Sequence, residues 1–240
     1  MILIMASILW ALLYRSFRNR QRALFLENTV KERTKQLEEL NQGLDWLANH
    51  DNLTRLANRN QVQQKLDSYV MNEKTQIGFI GIDLDYFKAI NDQYGHIAGD
   101  KVLQAFAQLL KDVIRPNQIA ARWGGEEFLI VCPNINPSRL QALAIQILNK
   151  TRDLSITYNG QQINQLRCSI GFAITPFNQK SNNKYWEKTI QLADIALYES
   201  KHQGRDRITG YLWNEPILSE IHLNEMVKNH LLAIKNNVLE

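Results

Sequence analysis

Four carboxylates stand at two short stretches of the chain. Asp83 and Asp85 close the apolar run QIGFIGIDLD at 76–85, and Glu126 and Glu127 follow a Gly-Gly pair at 124–125. The first run is rich in β-formers and reads as a buried strand that delivers its acids to one sheet edge. IAARW and EFLIVC flank Gly124-Gly125, the pattern of two antiparallel strands joined by a tight turn. A hard divalent cation such as Mg²⁺ takes oxygen ligands, usually one or two carboxylates with substrate phosphates and water. Two acidic groups on one edge would provide that. The glycines are expected to allow close backbone approach and positive φ, so that a nucleotide could pass over the turn. An ordinary solvated hairpin is the plain alternative for a Gly-Gly turn with acids.

Between the two stretches lies Phe87-Lys88-x-x-Asn91-Asp92-x-x-Gly95-His96-x-x-Gly99-Asp100, dense in groups that can meet a nucleotide. Lys88 suits charge developing on a transferring phosphoryl group. Asn91 and Asp100 suit a purine edge, and a carboxylate accepting from N1–H and the 2-amino group suits guanine. Taken singly, Lys88 could be a surface lysine, His96 a loop cap and Asp100 a helix N-cap.

These stretches, FIGIDLDYFKAINDQYGHIAGDKVL followed by ARWGGEEF, resemble the signature of the GGDEF family of diguanylate cyclases in its GGEEF form. DNLTRLANR resembles the family's opening motif, CSIGFA its later strand, and ADIALYESKHQGRDR its terminal helix and basic turn; together they cover about residues 50–209 in order. The resemblance implies a Mg²⁺-dependent nucleotidyltransferase, with Mn²⁺ as a substitute, that condenses two GTP into cyclic di-GMP at a dimer interface. It implies that Asp83, the Leu84 carbonyl and Glu126 hold two metals with Glu127 close by, and that Glu126 is the base for the 3′-hydroxyl. Lys88 would stabilise the transition state, Asn91, His96 and Asp100 would contact guanosine with Gly124 and Gly125 beneath, and Lys201 and Arg205 would grip the terminal phosphates. The family's inhibitory Arg-x-x-Asp reads Arg115-Pro116-Asn117-Gln118 here, so glutamine stands for the aspartate and weak feedback inhibition is expected. A catalytically silent GTP-binding regulatory domain is the alternative reading.

The elements that must position these residues follow from pattern. A segment from 51 opens a helix reaching about Met71, 86–97 reads as a polar loop, and Asp100 to Ile114 reads as a helix. Residues 137–152 read as another helix, 154–175 contain a strand pair around Asn159-Gly160, Tyr185 to Gln203 is helical up to Gly204, and Arg207 to Tyr211 forms a last strand. The pattern gives an α/β sandwich with a mixed sheet over residues 50–211, and the resemblance implies the nucleotidyl cyclase or polymerase-palm kind, mainly antiparallel and flanked by helices.

A helical stalk is expected to precede it. Residues 18–49 hold Leu26, Val30, Arg33, Leu37, Leu40, Leu44 and Leu47, a heptad seam of about three repeats that fits a parallel homodimer. Before it, 1–17 begins with fourteen uncharged residues, MILIMASILWALLY, followed by Arg15, Arg18, Arg20 and Arg22. This suits a truncated membrane segment at the inner membrane with the catalytic part in the cytoplasm, although about 20 apolar residues are needed to cross. Residues 212–240 read as a C-terminal helical extension. With 28 Lys+Arg against 24 Asp+Glu the chain is only mildly basic, and its basic charge is clustered rather than spread, which gives nucleic-acid binding no support. Cys132 and Cys168 sit in apolar, strand-like surroundings and read as reduced core thiols.

Overall fold

The computed structural model describes residues 1–70, 76–174 and 185–211. It divides into two compact units, Met1–Ala48 and the rest of the chain from Asn49.

The first unit belongs to one uninterrupted helix, α1 (Ile2–Asn49). With neither Pro nor a cluster of Gly to break it, the stalk helix extends back through the apolar start of the chain. Leu26, Val30, Leu37, Leu40, Leu44 and Leu47 are all more than half exposed in the single chain. The truncated membrane segment expected over 1–17 finds no support in the structure: no helix among the described residues is long and apolar enough to cross a membrane. The apolar run stops at Tyr14, and Arg15, Arg18 and Arg20 follow within the same helix.

In the second unit, α2 (Arg59–Val70), β1 (Ile77–Leu84), α3 (Phe87–Tyr94), α4 (His96–Val113), β2 (Ile119–Arg122), β3 (Glu127–Pro133), α5 (Pro137–Arg152), β4 (Ile156–Tyr158), β5 (Gln161–Ile163), β6 (Cys168–Ile174), α6 (Tyr185–His202) and β7 (Ile208–Tyr211) follow in order. The main sheet runs β2-β3-β1-β6-β7. All its pairs are antiparallel except β6 with β7. The mixed, mainly antiparallel sandwich is therefore as expected.

Strand β1 is buried along its whole length because helices cover both sheet faces. Ile80, Ile82 and Leu84 join Phe128, Ile130, Ile170 and Phe172 in a core shared with Val102, Phe106 and Leu110 of α4 and Leu140 and Ile147 of α5. Ile77 and Phe79 point the other way, into a core with Val62 and Leu66 of α2 and Ile190 and Ala193 of α6. Alternation along one strand thus decides which helix each β1 residue meets, and Asp83 shares the parity of Ile77 and Phe79.

Local chemistry explains the boundaries. Asn136 caps α5 by accepting from Arg139 N at 2.9 Å, with Pro137 in the first turn. Asn159 and Gly160 both lie at positive φ, 50° and 76°, as a two-residue hairpin turn between β4 and β5 requires.

Two expectations are corrected. The 86–97 stretch is not a loop: it holds α3 and the first residues of α4, the former starting from Tyr86 at φ 57° with no side-chain cap. Helix α4 begins at His96 behind Gly95, so Asp100 lies inside the helix and is not its N-cap. Both cysteines are free and buried, with burial pushing each thiol up to about 12. The C-terminal extension lies outside the described residues, as do its expected helix and the end of the α2 segment at Met71.

Candidate active site

The antiparallel register of β1 and β3 sets Asp83 opposite Glu127, and Leu84 N donates to Glu126 O at 3.3 Å. Two acidic stretches separated by more than forty residues therefore meet at one sheet edge. Helix α6 crosses the same face, and Lys201 Nζ lies 2.7 Å from Asp83 Oδ2. Burial pushes the Asp83 carboxyl above its ordinary 3.8; Lys201 works against this, while Glu126 and Glu127 add to it. Asp83, Leu84, Glu126, Glu127 and Lys201 are thus brought together.

The turn differs from expectation in its glycines. Neither Gly124 nor Gly125 adopts positive φ. At Gly124 a Cβ would stand 2.6 Å from Glu127 Oε2, the far end of an exposed side chain that can swing aside. Gly125 faces open space.

Arg122, which the sequence reading did not single out, holds the turn and is itself held from behind. Arg122 donates to Gly125 O through Nε at 3.0 Å and Nη2 at 2.8 Å, and its Nη1 meets both Asp51 carboxylate oxygens at 3.2 Å. Asp51 also accepts from Thr54 N and Thr54 Oγ1 at 2.8 and 2.7 Å. Burial acts to raise the Asp51 carboxyl, but the Thr54 hydrogen bonds and Arg122 outweigh it and hold the group below 3.8. Arg59 stacks its guanidinium 4.8 Å from the Trp123 ring centre. Only the position of Arg122 two residues before Gly124 hinted at any of this.

Lys88 and Asn91 ride on α3, and His96 and Asp100 stand one turn apart on α4. Lys88, His96 and Asp100 are exposed and Asn91 is half-buried. The Asn91 carboxamide occupies the space a Cβ on Gly99 would need, so this glycine lets α3 and α4 approach. Asp85, read as a second strand-end carboxylate, turns inward: Ser169 Oγ donates to its Oδ1 at 2.8 Å and Asp206 N to its Oδ2 at 3.0 Å.

Arg205 lies 4.9 Å from the Tyr86 ring centre. On α6, Asp194 is pushed up to about 6, by desolvation first and Glu127 second, with Arg59 opposing, although solvent still reaches its side chain.

Arg115 and Gln118 are not part of this edge. They precede β2, at the opposite end of the hairpin from Gly124, and line a cleft of about 200 Å³ with Asn117, Asn134 and Arg139. Gln118 is folded back on its own turn: its Oε1 accepts from Arg115 N at 2.9 Å, and its N donates to Arg115 O at 2.9 Å.

Among the described residues, no three Asp, Glu, His or Cys side chains converge into a ready-made cation cage. The donor set still suits a hard cation, because one or two carboxylates are enough where substrate phosphates complete the shell. Lys201 already places a positive charge against Asp83, beside the two glutamates that act on it.

Comparison with known proteins identifies the family. A family model described as diguanylate cyclase, GGDEF domain, matches residues 48–207. Diguanylate cyclase A of Treponema denticola is 42% identical over 137 residues, 57% of this chain and 36% of that protein. Cyclic di-GMP phosphodiesterase PdeR of Escherichia coli is 32% identical over 196 residues, 77% of this chain and 29% of that protein. The chain thus spans about a third of the length of these curated relatives. Among solved structures, the coiled coil and GGDEF domain of DgcB from Caulobacter crescentus, in complex with c-di-GMP, is 29% identical with a TM-score of 0.67, covering 78% of this chain and 99% of that one.

Proposed function

The chain belongs to the GGDEF-domain family of diguanylate cyclases, and from that premise we propose that it is an active member, joining two GTP molecules into cyclic di-GMP with release of two pyrophosphates. The observation that carries the reading is the pairing of Asp83 opposite Glu127, beside Glu126, with Lys201 of α6 held against Asp83. A purely structural hairpin has no use for three carboxylates and an ammonium at one sheet edge, where burial above all, and the two glutamates after it, push the Asp83 carboxyl up against the pull of Lys201.

In this reading Asp83, the Leu84 carbonyl and Glu126, with Glu127 close by, hold two Mg²⁺ or Mn²⁺ ions, whose bound form neutralises phosphate charge and acidifies the attacking hydroxyl. Glu126 takes the proton from the 3′-hydroxyl. Lys88 offsets charge on the phosphoryl group in transfer. Lys201 and Arg205 hold the terminal phosphates so that pyrophosphate leaves in line with the attack. Asn91, His96 and Asp100 take the guanosine, and Gly124 lets it lie against the turn.

One domain offers one such half-site. Two copies must face each other, and the exposed leucines of α1 are suited to bring them together as a parallel pair. On this view residues 18–49 are a coiled-coil signalling helix, 50–211 the catalytic domain and 212–240 an extension.

A second reading, a silent GTP-binding regulatory domain, has one observation in its favour: a similar protein carries the name of the opposing activity. Intact Asp83, Lys88, Glu126 and Arg205 speak for the first. Incubating the purified chain with GTP and Mg²⁺ and weighing the product by mass spectrometry separates them. Cyclic di-GMP that disappears in Glu126→Gln is expected; GTP bound but unconverted by the unaltered chain decides for the silent domain.

A further inference from the structure

Asp85 does no work in the scheme above, yet its carboxylate is fully enclosed, with none of the side chain exposed. A buried carboxylate without partners is costly, so its contacts show what it serves. It accepts from Ser169 Oγ and from the backbone of Asp206, and its Oδ1 lies 4.0 Å from Arg205 Nε.

The loop it binds is strained. Gly204, Arg205 and Asp206 lie consecutively at φ 110°, 60° and 49°, and two of the three carry a Cβ. Such a conformation persists only where the surroundings over-determine it. Here every backbone polar atom of residues 205 and 206 is engaged. Arg205 N donates to Ser200 O at 3.0 Å, and Arg205 O accepts from Arg207 Nε at 3.2 Å. Asp206 N donates to Asp85, and Asp206 O accepts from Arg152 Nη2 at 2.9 Å. The Asp206 carboxylate is held in turn by Arg152 at 2.9 Å and Arg167 at 3.2 Å. Of these partners, Asp85 alone reaches both the loop backbone and the Arg205 side chain. It also precedes Tyr86, whose ring faces the same guanidinium.

We propose that Asp85 is the positioning residue for Arg205, holding the 204–206 loop in its left-handed conformation and steering the guanidinium toward the terminal phosphates of the nucleotide. The proposal rests on the reading of Arg205 as a phosphate ligand. Asp83 and Asp85 thus divide the labour at the end of β1: the first faces the reaction, the second faces the loop that grips the substrate.

The test is a double-mutant cycle in the full chain with Mg²⁺ fixed. Affinity is measured by calorimetry for 3′-deoxy-GTP, which lacks the attacking hydroxyl and cannot react, and for GMP, which lacks the terminal phosphates. Asp85→Ala is expected to weaken 3′-deoxy-GTP about tenfold, as for loss of one charge-assisted contact, and GMP by less than about twofold. In an Arg205→Ala background it should add less than about twofold, because the group it positions is gone.

Should Asp85→Ala fail to fold, Asp85→Asn enters the same cycle. It keeps an acceptor for Asp206 N and loses the charge facing Arg205, so about a threefold loss confined to the triphosphate is expected. Equal losses for both ligands, or losses that persist without Arg205, overturn the proposal. Failure of the unaltered chain to bind 3′-deoxy-GTP overturns the functional reading and this proposal together, whereas binding with an additive cycle overturns this proposal alone.

Discussion

Lys201 Nζ sits 2.7 Å from Asp83 Oδ2, joining the last helix of the sandwich to the end of its central strand. This pair sets a conflict between stability and chemistry. The Asp83 carboxyl is raised by burial and by the two glutamates despite Lys201, so the folded state disfavours its ionised form relative to the unfolded chain. A raised carboxyl binds its proton more tightly when folded; the stability penalty therefore appears as pH rises from 3.8 through the raised value and is absent below 3.8. Asp83→Asn is expected to leave thermal stability at pH 7 equal to or above that of the unaltered chain, with the difference vanishing on acidification. Cyclisation should fall about a hundredfold or more, as when a transition-state partner is removed. A melting temperature at pH 7 below that of the unaltered chain would falsify the electrostatic account.

Arg122 carries the turn. It donates twice to Gly125 O and reaches Asp51, so one guanidinium ties the glycine turn to the segment that follows α1. Arg122→Ala takes the cationic partner from the half-buried Asp51 carboxylate, which keeps only its Thr54 donors, and the side-chain donors from Gly125 O, at a cost of about 1–3 kcal/mol. A slightly displaced turn should lower kcat roughly ten- to a hundredfold. Lysine should rescue poorly, since it lacks the planar fork. The Asp51 carboxyl is lowered in the folded chain, so its contribution to stability is present above 3.8 and is lost as pH falls through the lowered value. Chemical denaturation between pH 7 and pH 2 checks this: the unaltered chain should lose more stability on acidification than Arg122→Ala.

Much of this geometry was legible in the sequence, and the remainder has identifiable physical reasons for being hidden. Strands β1 and β3 announce themselves because a doubly covered strand must be apolar on both faces. Helix α5 does so through Asn136 and Pro137. By contrast, α3 is eight residues long and polar, and both it and α4 start without a side-chain cap, so nothing local marks their beginnings. At the site, residues close in sequence or set in a motif could be named. The long-range ties could not: Asp51 to Arg122 spans 71 positions and Asp85 to Asp206 spans 121, and neither pair leaves a periodic trace. Gly124 and Gly125 were expected at positive φ and neither adopts it, a distinction that composition cannot make.

Gln118 bears on feedback. Its side chain satisfies Arg115 N and does not project as a carboxylate into the cleft beside Arg139. Product inhibition through this cleft is expected to be weak. Gln118→Asp should tighten cyclic di-GMP binding about tenfold by adding an ionised acceptor. Titration calorimetry on the two proteins reads this directly, and tight binding by the unaltered chain that depends on Arg115 would contradict it.

The stalk supplies the last prediction. Leu37 and Leu44 are 59% and 55% exposed, so charging them cannot unfold a monomer by disrupting its core. If α1 pairs two chains, it raises the effective concentration of one catalytic domain around the other to about the millimolar range. In the full chain, Leu37→Glu with Leu44→Glu should therefore give a monomer by light scattering whose melting temperature at the 49–211 domain is retained. Its turnover per molecule should rise with protein concentration, because the two half-sites now meet by diffusion, whereas the unaltered chain should show a constant value. A double variant that stays dimeric and keeps its specific activity at every concentration would remove α1 from the mechanism and leave the facing of the two turns to the catalytic domains themselves.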